Sequence, residues 1–400
     1  MLQVLVEEPT FLRGRRRMLD PQEIPELRAR MQERAEQDRR ILDGLRAEVR
    51  PLKSAVRRIA PRSATAMSLV ASDGGNNKIQ FDPFLMQIVR VVDSFGQQLC
   101  LDVVSPTTDT DELSARQFDE KAQPRTALGH MMRVLNIEKL YKLSPAIPTP
   151  QKQREEEISP SWVLVYRDLC EWAVLHERIC RTEFSTDTLM VRDGFLRAKI
   201  FSGGLFMDLR RLLADGIERA RRERKRRLYL VGVAKHSKVL ARYKLAMAIE
   251  EIMAEPYPCF VQVPRPLEAK AYVWPEYARG AEAEGEEREA PKFVAGVMYL
   301  VKFGANPRDP IWAVDVFDPQ TPDESVIFGH LLQDSMDGFP IPLYPRCLQK
   351  AHEHAALVDF DMDILEEEVF RAVRAVLPSH KADALDILRF NPDPSNQRYE

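Results

Sequence analysis

Residues 67–73, MSLVASD, run into Gly74, and residues 188–193, TLMVRD, run into Gly194. Both are short apolar runs that end on an aspartate and then a glycine. The first is long enough for a buried strand, and the second is rich in β-branched residues. A strand ending in Asp-Gly carries its carboxylate to the edge of a sheet, and the glycine lets backbone or ligand come close. A carboxylate at the end of a buried run is costly unless it has a partner there.

Reading outward, residues 84–93 and 98–104 are two more strand candidates, with the Gly/Asn-rich GGNNK and the Gly-containing SFGQ between runs as turns. Three closely spaced strands predict an antiparallel meander. Residues 109–143 read as helical and 145–160 (PAIPTPQKQREEEISP) as a connector. A long helix follows over 161–182, with Ser159 or Ser161 as its cap and Pro160 near its first turn. It leads into the 188–193 strand. A helix at 205–226, a strand at 228–233 (LYLVGV) and a helix after AKHSK give the period switching of βαβ units.

Strands at 293–301 and 311–317 come next, then helices near 322–335, 346–358, 363–376 and 381–389, and a frayed tail. Meander, helix, strand and then β-α alternation is the order of an RNase H-like fold. The predicted class is therefore α/β, an RNase H-like mixed sheet flanked by helices. An N-terminal helical extension covers 1–60, suited to a dimer or partner contact. The body covers 61–360 and includes an acidic, mobile loop at 278–291, and C-terminal helices and a tail cover 361–400.

A chain of 400 residues with 44% apolar content buries a sizeable core, and a formal charge of −3 exerts no global pull toward nucleic acid. Any basic surface must be local. The five cysteines include no C-x-x-C pair and read as reduced core thiols, so the cytoplasm is the expected compartment. The N-terminal stretch lacks the pattern of a signal peptide, and no apolar run reaches the roughly 18 residues of a membrane span. No P-loop, dinucleotide-binding, G-x-S-x-G or H-E-x-x-H pattern occurs.

Asp73, Asp193 and a helical acid make a ligand set for hard divalent cations, Mn²⁺ or Mg²⁺. Two such ions roughly 4 Å apart serve phosphodiester hydrolysis by activating water and neutralising the phosphoryl and leaving oxygens. Each Asp-Gly could instead shape a turn. The helix offers Asp168, Glu171 and Glu177. Glu171 lies inside LCEWAVL, where an unpaired carboxylate is costly, whereas Glu177 neighbours His176 and Arg178; Glu171 is the choice and Glu177 the alternative. Lys235 and Lys238 in GVAKHSK follow a strand and open a helix, a position suited to phosphate, and Arg197 joins them as a DNA-contact candidate. The basic run at 219–227 reads as a solvated helix end. His352 and His354 lie two apart and cannot form an i, i+4 ligand pair; a lone helical histidine is more often structural, and the alternative for one of them is a general acid or phosphate contact.

These blocks resemble the NurA family of nucleases: ASDGG at 71–75, RDLCEWAVL at 167–175, VRDGFLRAKIF at 191–201, VGVAKHSK at 231–238 and FPIPLYPRCLQKAHEHA at 339–355. Together they span nearly the whole folded part. The resemblance implies an RNase H-like, Mn²⁺- or Mg²⁺-dependent DNA nuclease, dimeric, working with the hexameric ATPase HerA at DNA ends in repair or defence. It maps the family's strand aspartates to Asp73 and Asp193, its helical glutamate to Glu171 and its C-terminal histidine to His352, with His354 left as the alternative. Residues 1–60 and 278–291 match no motif. Two other classes compete: a silent scaffold or DNA clamp for an ATPase ring, and a resolvase- or transposase-like enzyme of the same fold.

Overall fold

The structure, a computed structural model, describes residues 24–62, 67–81, 84–272, 292–356 and 359–378. The expected acidic loop at 278–291 and the helix at 381–389 lie outside them. The described strands are β1 (Arg57–Arg58), β2 (Ser68–Phe81), β3 (Phe84–Asp93), β4 (Gln98–Val104), β5 (Thr188–Asp193), β6 (Leu228–Ala234), β7 (Cys259–Gln262), β8 (Gly296–Lys302) and β9 (Ile311–Phe317). The helices are α1 (Ile24–Val49), α2 (Thr110–Ala115), α3 (Ala127–Val134), α4 (Leu140–Leu143), α5 (Pro150–Glu155) and α6 (Trp162–Cys180). They continue with α7 (Leu205–Glu223), α8 (Lys238–Ile249), α9 (Arg265–Ala271), α10 (Glu324–Met336), α11 (Arg346–Ala355) and α12 (Asp359–Val376). No helix among the described residues is long and apolar enough to cross a membrane.

All nine described strands join one sheet in the order β1-β7-β8-β9-β6-β5-β2-β3-β4. From β4 to β6 the pairing is antiparallel within the β2–β3–β4 meander and parallel for β2–β5 and β5–β6. With α6 crossing between β4 and β5, this is the RNase H-like core that the order of elements predicts. Beyond β6 the sheet continues antiparallel through β9, β8, β7 and β1.

Several readings change, among them the expected connector at 145–160, which contains helix α5 capped by Thr149. Asp73 does not end its strand: β2 runs through DGG and GGNNK to Phe81 and pairs with β3 from Ser72 to Phe81. The expected helix at 109–143 is broken into α2, α3 and α4. Asp109 caps α2 through bonds from the N–H groups of Asp111 and Glu112, and Thr126 caps α3 through the N–H of Gly129, so α2 and α3 each start on a side-chain acceptor. The short strand β7, CFVQ, was not anticipated from the sequence; its pairing with β8 gives it a place in the sheet.

Alternate residues of the central strands bury on opposite faces, as period two requires. Val70, Met190 and Leu230 join the core beneath α6 and α7. Ala71, Leu189, Val191 and Val231 join the core beneath α10 and α11. Helix α7 buries Phe206, Leu209, Leu213, Gly216 and Ala220, a stripe at three- and four-residue spacing. Trp172 of α6 is fully buried and meets Phe206 edge-on, with centroids 5.2 Å apart, a contact worth about 1 kcal/mol beyond burial. Helix α1 packs its C-terminal end on α8, where Arg46 and Arg50 bond Glu250 and Tyr243 bonds Glu48; its N-terminal part is exposed.

Candidate metal centre

Parity along β2 decides what each residue of the DGG run can touch. Asp73 shares the α11 face with Ala71, and Gly74 shares the α6 face with Val70. A Cβ on Gly74 would stand 2.3 Å from Oε1 of Glu171, and a Cβ on Gly75 would stand 2.4 Å from the carbonyl oxygen of Ala355 at the end of α11. The two glycines thus admit a helical carboxylate on one side of the strand and a helix end on the other. That close approach is why a turn-like sequence sits inside a strand.

On β5 the same alternation places Asp193 with Val191 toward α11 and Arg192 with Met190 toward α6. Gly194 follows with a φ of 106°, and a Cβ there would meet Nη1 of Arg192 at 2.7 Å. Asp73, Asp193 and His352 each bring a ligand atom into a group whose members lie within 4.8 Å of one another. Nδ1 of His352 is 2.8 Å from Oδ2 of Asp73, and Oδ1 of Asp73 accepts the Gly74 N–H at 2.8 Å. Nζ of Lys235, just past the end of β6, donates to Oδ2 of Asp193 at 2.7 Å. Burial raises the Asp193 carboxyl above its ordinary range, the charge of Asp73 adds to this, and Lys235 opposes it.

Across Gly74, Nη2 of Arg192 donates to Asp168 at 2.6 Å and to Glu171 at 3.2 Å. Its Nη1 donates to the carbonyls of Asp193 and Phe195, and its guanidinium lies 4.7 Å from the Trp172 ring centre. Burial pushes the Glu171 carboxyl upward, with Arg192 the main opposing charge. Both halves line one cleft of about 670 Å³, which also includes Leu164, Arg167 and Ile200.

The candidates of the sequence separate cleanly. Asp73, Glu171, Asp193, Lys235 and His352 all line this cleft. Glu177 pairs with Arg181 instead, and the ring of His354 lies beside Gly96 while its carbonyl accepts from Arg90. Lys238 is exposed at the start of α8, which Ser237 caps. Arg197 is a correction. Its side chain is fully buried, with Nε and Nη2 on the two oxygens of Asp315 and Nη1 on Glu268, so it cannot reach DNA. In the group within 4.8 Å, His352 stands where Glu171 was expected.

Sequence reasoning passed over Arg192 and Tyr344. Arg192 had a signal: a lone cation in an otherwise apolar strand needs a partner. Tyr344 is fully buried, and its hydroxyl has no hydrogen-bond partner among the described residues. Burial, then the charges of Asp193, Cys347 and Asp73, hold its phenol well above the ordinary range.

Two carboxylates and an imidazole form an oxygen-rich donor set suited to a hard or borderline divalent cation. The adjacency of Asp73 and Asp193, two like charges in a partly buried cleft, is the kind of surplus a cation relieves.

No protein-family model and no curated protein matches the chain. Among solved structures, the chain is similar to the NurA nuclease from Sulfolobus solfataricus at 13% identity and a TM-score of 0.42, covering 88% of this chain and 98% of that one. A NurA structure with manganese is similar at 12% identity and 0.34, covering 89% and 99%. One bound to dAMP and manganese is similar at 12% and 0.33, covering 85% and 94%. Strand order and pairing, rather than these likenesses, carry the fold assignment.

Proposed function

We propose that this protein is a Mn²⁺- or Mg²⁺-dependent DNA nuclease, an exonuclease and single-strand endonuclease that hydrolyses phosphodiester bonds with two ions. The observation that carries the reading is the convergence of Asp73, Asp193 and His352 within 4.8 Å where the neighbouring interior strands β2 and β5 of an RNase H-like sheet meet α11. Asp73, Asp193 and His352 are the residues that would hold a cation, with Glu171 across Gly74 available to a second. When bound, the ions supply an activated water and neutralise charge at the phosphoryl and leaving oxygens.

The chain's own groups do the positioning. Asp73 fixes the imidazole of His352 through Nδ1. Lys235 holds Asp193 by its ammonium, a positive charge beside the reacting phosphate. Lys238, exposed at the capped start of α8, reaches a neighbouring phosphate. Following the family resemblance, the protein works as a cytoplasmic homodimer with a HerA-type ATPase in DNA end processing or defence, with residues 1–60 contributing a dimer or partner contact.

One observation favours a second reading, a silent scaffold or DNA clamp for such an ATPase: Arg192 and Lys235 already pair with Glu171 and Asp193. Incubating labelled single- and double-stranded DNA with the purified protein and Mn²⁺ separates the two. The nuclease reading expects cleavage that chelation stops and that Asp73→Asn and Asp193→Asn abolish. Equal cleavage by both variants, or none by the wild type, overturns it.

A further inference from the structure

Two arginines face Glu171, and they differ in what they leave unused. Arg192 is 9% exposed and spends its guanidinium on Asp168, Glu171 and two backbone carbonyls. Arg167 lies one turn before Glu171 on α6, lines the same cleft and is 32% exposed at the side chain. Its side chain makes no hydrogen bond to any described residue. Its one side-chain partner among the described residues is Glu171, an ion pair from Nε to Oε1 at 3.3 Å, and that Nε is buried without a hydrogen-bond acceptor.

Helix support does not account for Arg167. An Arg four residues before a Glu is the weaker order for such a pair, worth a few tenths of a kcal/mol at most. Charge balance does not need it at Glu171 either, because Arg192 is already there. A guanidinium with a free planar fork at the mouth of an acidic cleft matches the bidentate geometry of a phosphate group.

We infer that Arg167 is a substrate-binding residue that takes a backbone phosphate of the DNA strand in the cleft, while Arg192 is the positioning residue that holds Glu171 and the turn after Asp193. This rests on the reading that the cleft receives DNA. It differs from that reading in assigning the contact to a side chain that the sequence reading left without a role and that the 4.8 Å group does not contain.

The test measures binding apart from cleavage. Anisotropy of a short labelled single strand, with Ca²⁺ in place of Mn²⁺, is followed from about 50 to 200 mM salt for wild type, Arg167→Gln, Arg167→Lys and, as a control, Lys121→Gln at an exposed lysine outside the cleft. Arg167→Gln should weaken binding roughly 10-fold and make the plot of log affinity against log salt shallower by about 0.7, the loss of one phosphate contact. Arg167→Lys should keep the slope and lose part of the affinity, because an ammonium supplies charge without the fork. With Mn²⁺, Arg167→Gln should raise KM by a similar factor while kcat stays within about 3-fold. An unchanged slope and affinity in Arg167→Gln overturns the assignment, as does a wild type that binds no DNA or a slope loss equal to that of the Lys121→Gln control. A loss traced to a lower melting temperature in both Arg167 variants, with an unaltered slope, also overturns it. If wild type binds with an Arg167-dependent slope and never cuts, this contact stands and the nuclease reading fails.

Discussion

Two groups of charges are buried in this sheet, and they are built for opposite ends. Around Arg197, the guanidinium closes on both oxygens of Asp315 and on Glu268, with every side chain at 0% exposure. Around Asp73, carboxylates on both sides of β2 open into a cleft of about 670 Å³, Glu171 and Asp193 are held above their ordinary range by burial, and Arg167 has spare donors. The first group is fully enclosed and leaves no route for a ligand. Burial and pairing mark a structural ion group, and access combined with unspent capacity marks a site.

The comparison breaks most visibly at the aspartates. Asp73→Asn or Asp193→Asn should reduce Mn²⁺-dependent cleavage by roughly 10³-fold or more while the melting temperature holds, because the lost charge acts on the reaction. Steady-state cleavage together with thermal melts checks this, and a variant that retained a tenth of the activity would put the chemistry elsewhere. Arg197→Ala should do the reverse. Leaving Asp315 and Glu268 unpaired costs about 3–5 kcal/mol of stability, read by denaturant titration, with DNA affinity per folded molecule unchanged.

Gly74→Ala sharpens the contrast without touching a charge. Its Cβ would fall 2.3 Å from Oε1 of Glu171, so the glutamate must move. Activity should drop about 10- to 100-fold, in the range of altered supporting contacts at metal sites, while sheet stability changes little. Wild-type kinetics in Gly74→Ala would mean that the position of Glu171 does not matter.

The smallest effect is a pH dependence remote from the cleft. His176 is 2% exposed, and burial lowers its pKa to about 4 against an ordinary value of about 6.5. The unfolded chain therefore binds a proton that the folded chain refuses. This stabilising contribution is complete above about pH 6.5 and is lost as pH falls toward 4, about 2 kcal/mol between pH 7 and 5. Denaturant midpoints at both pH values should converge in His176→Leu relative to wild type; an identical pH response would reject the assignment.

Much of the fold was legible because its signals are local. Apolar runs at 188–193 and 228–233 and the stripe of α7 act within a few residues, whereas Ser161 stands at the cap position of α6 without making the expected side-chain cap. The Asp-Gly pairs stood out as candidate site residues for the same reason. Other features depend on distant partners. Nothing near Arg197 announces Asp315 and Glu268, which lie 118 and 71 residues away. The strand through GGNNK depends on pairing with β3 and on Glu171 and Ala355 filling the space beside two glycines, so turn propensity alone misreads it. Arg167 against Arg192 could not be ranked from sequence at all, since the difference lies in hydrogen bonds made and unmade.

The central claim concerns where a cation sits, and anomalous scattering from crystals soaked in Mn²⁺ tests it directly. The account predicts a manganese peak bound by carboxylate oxygens of Asp73 and Asp193 and a ring nitrogen of His352. Peaks only elsewhere, with those three side chains still paired to one another and to Lys235, would contradict it.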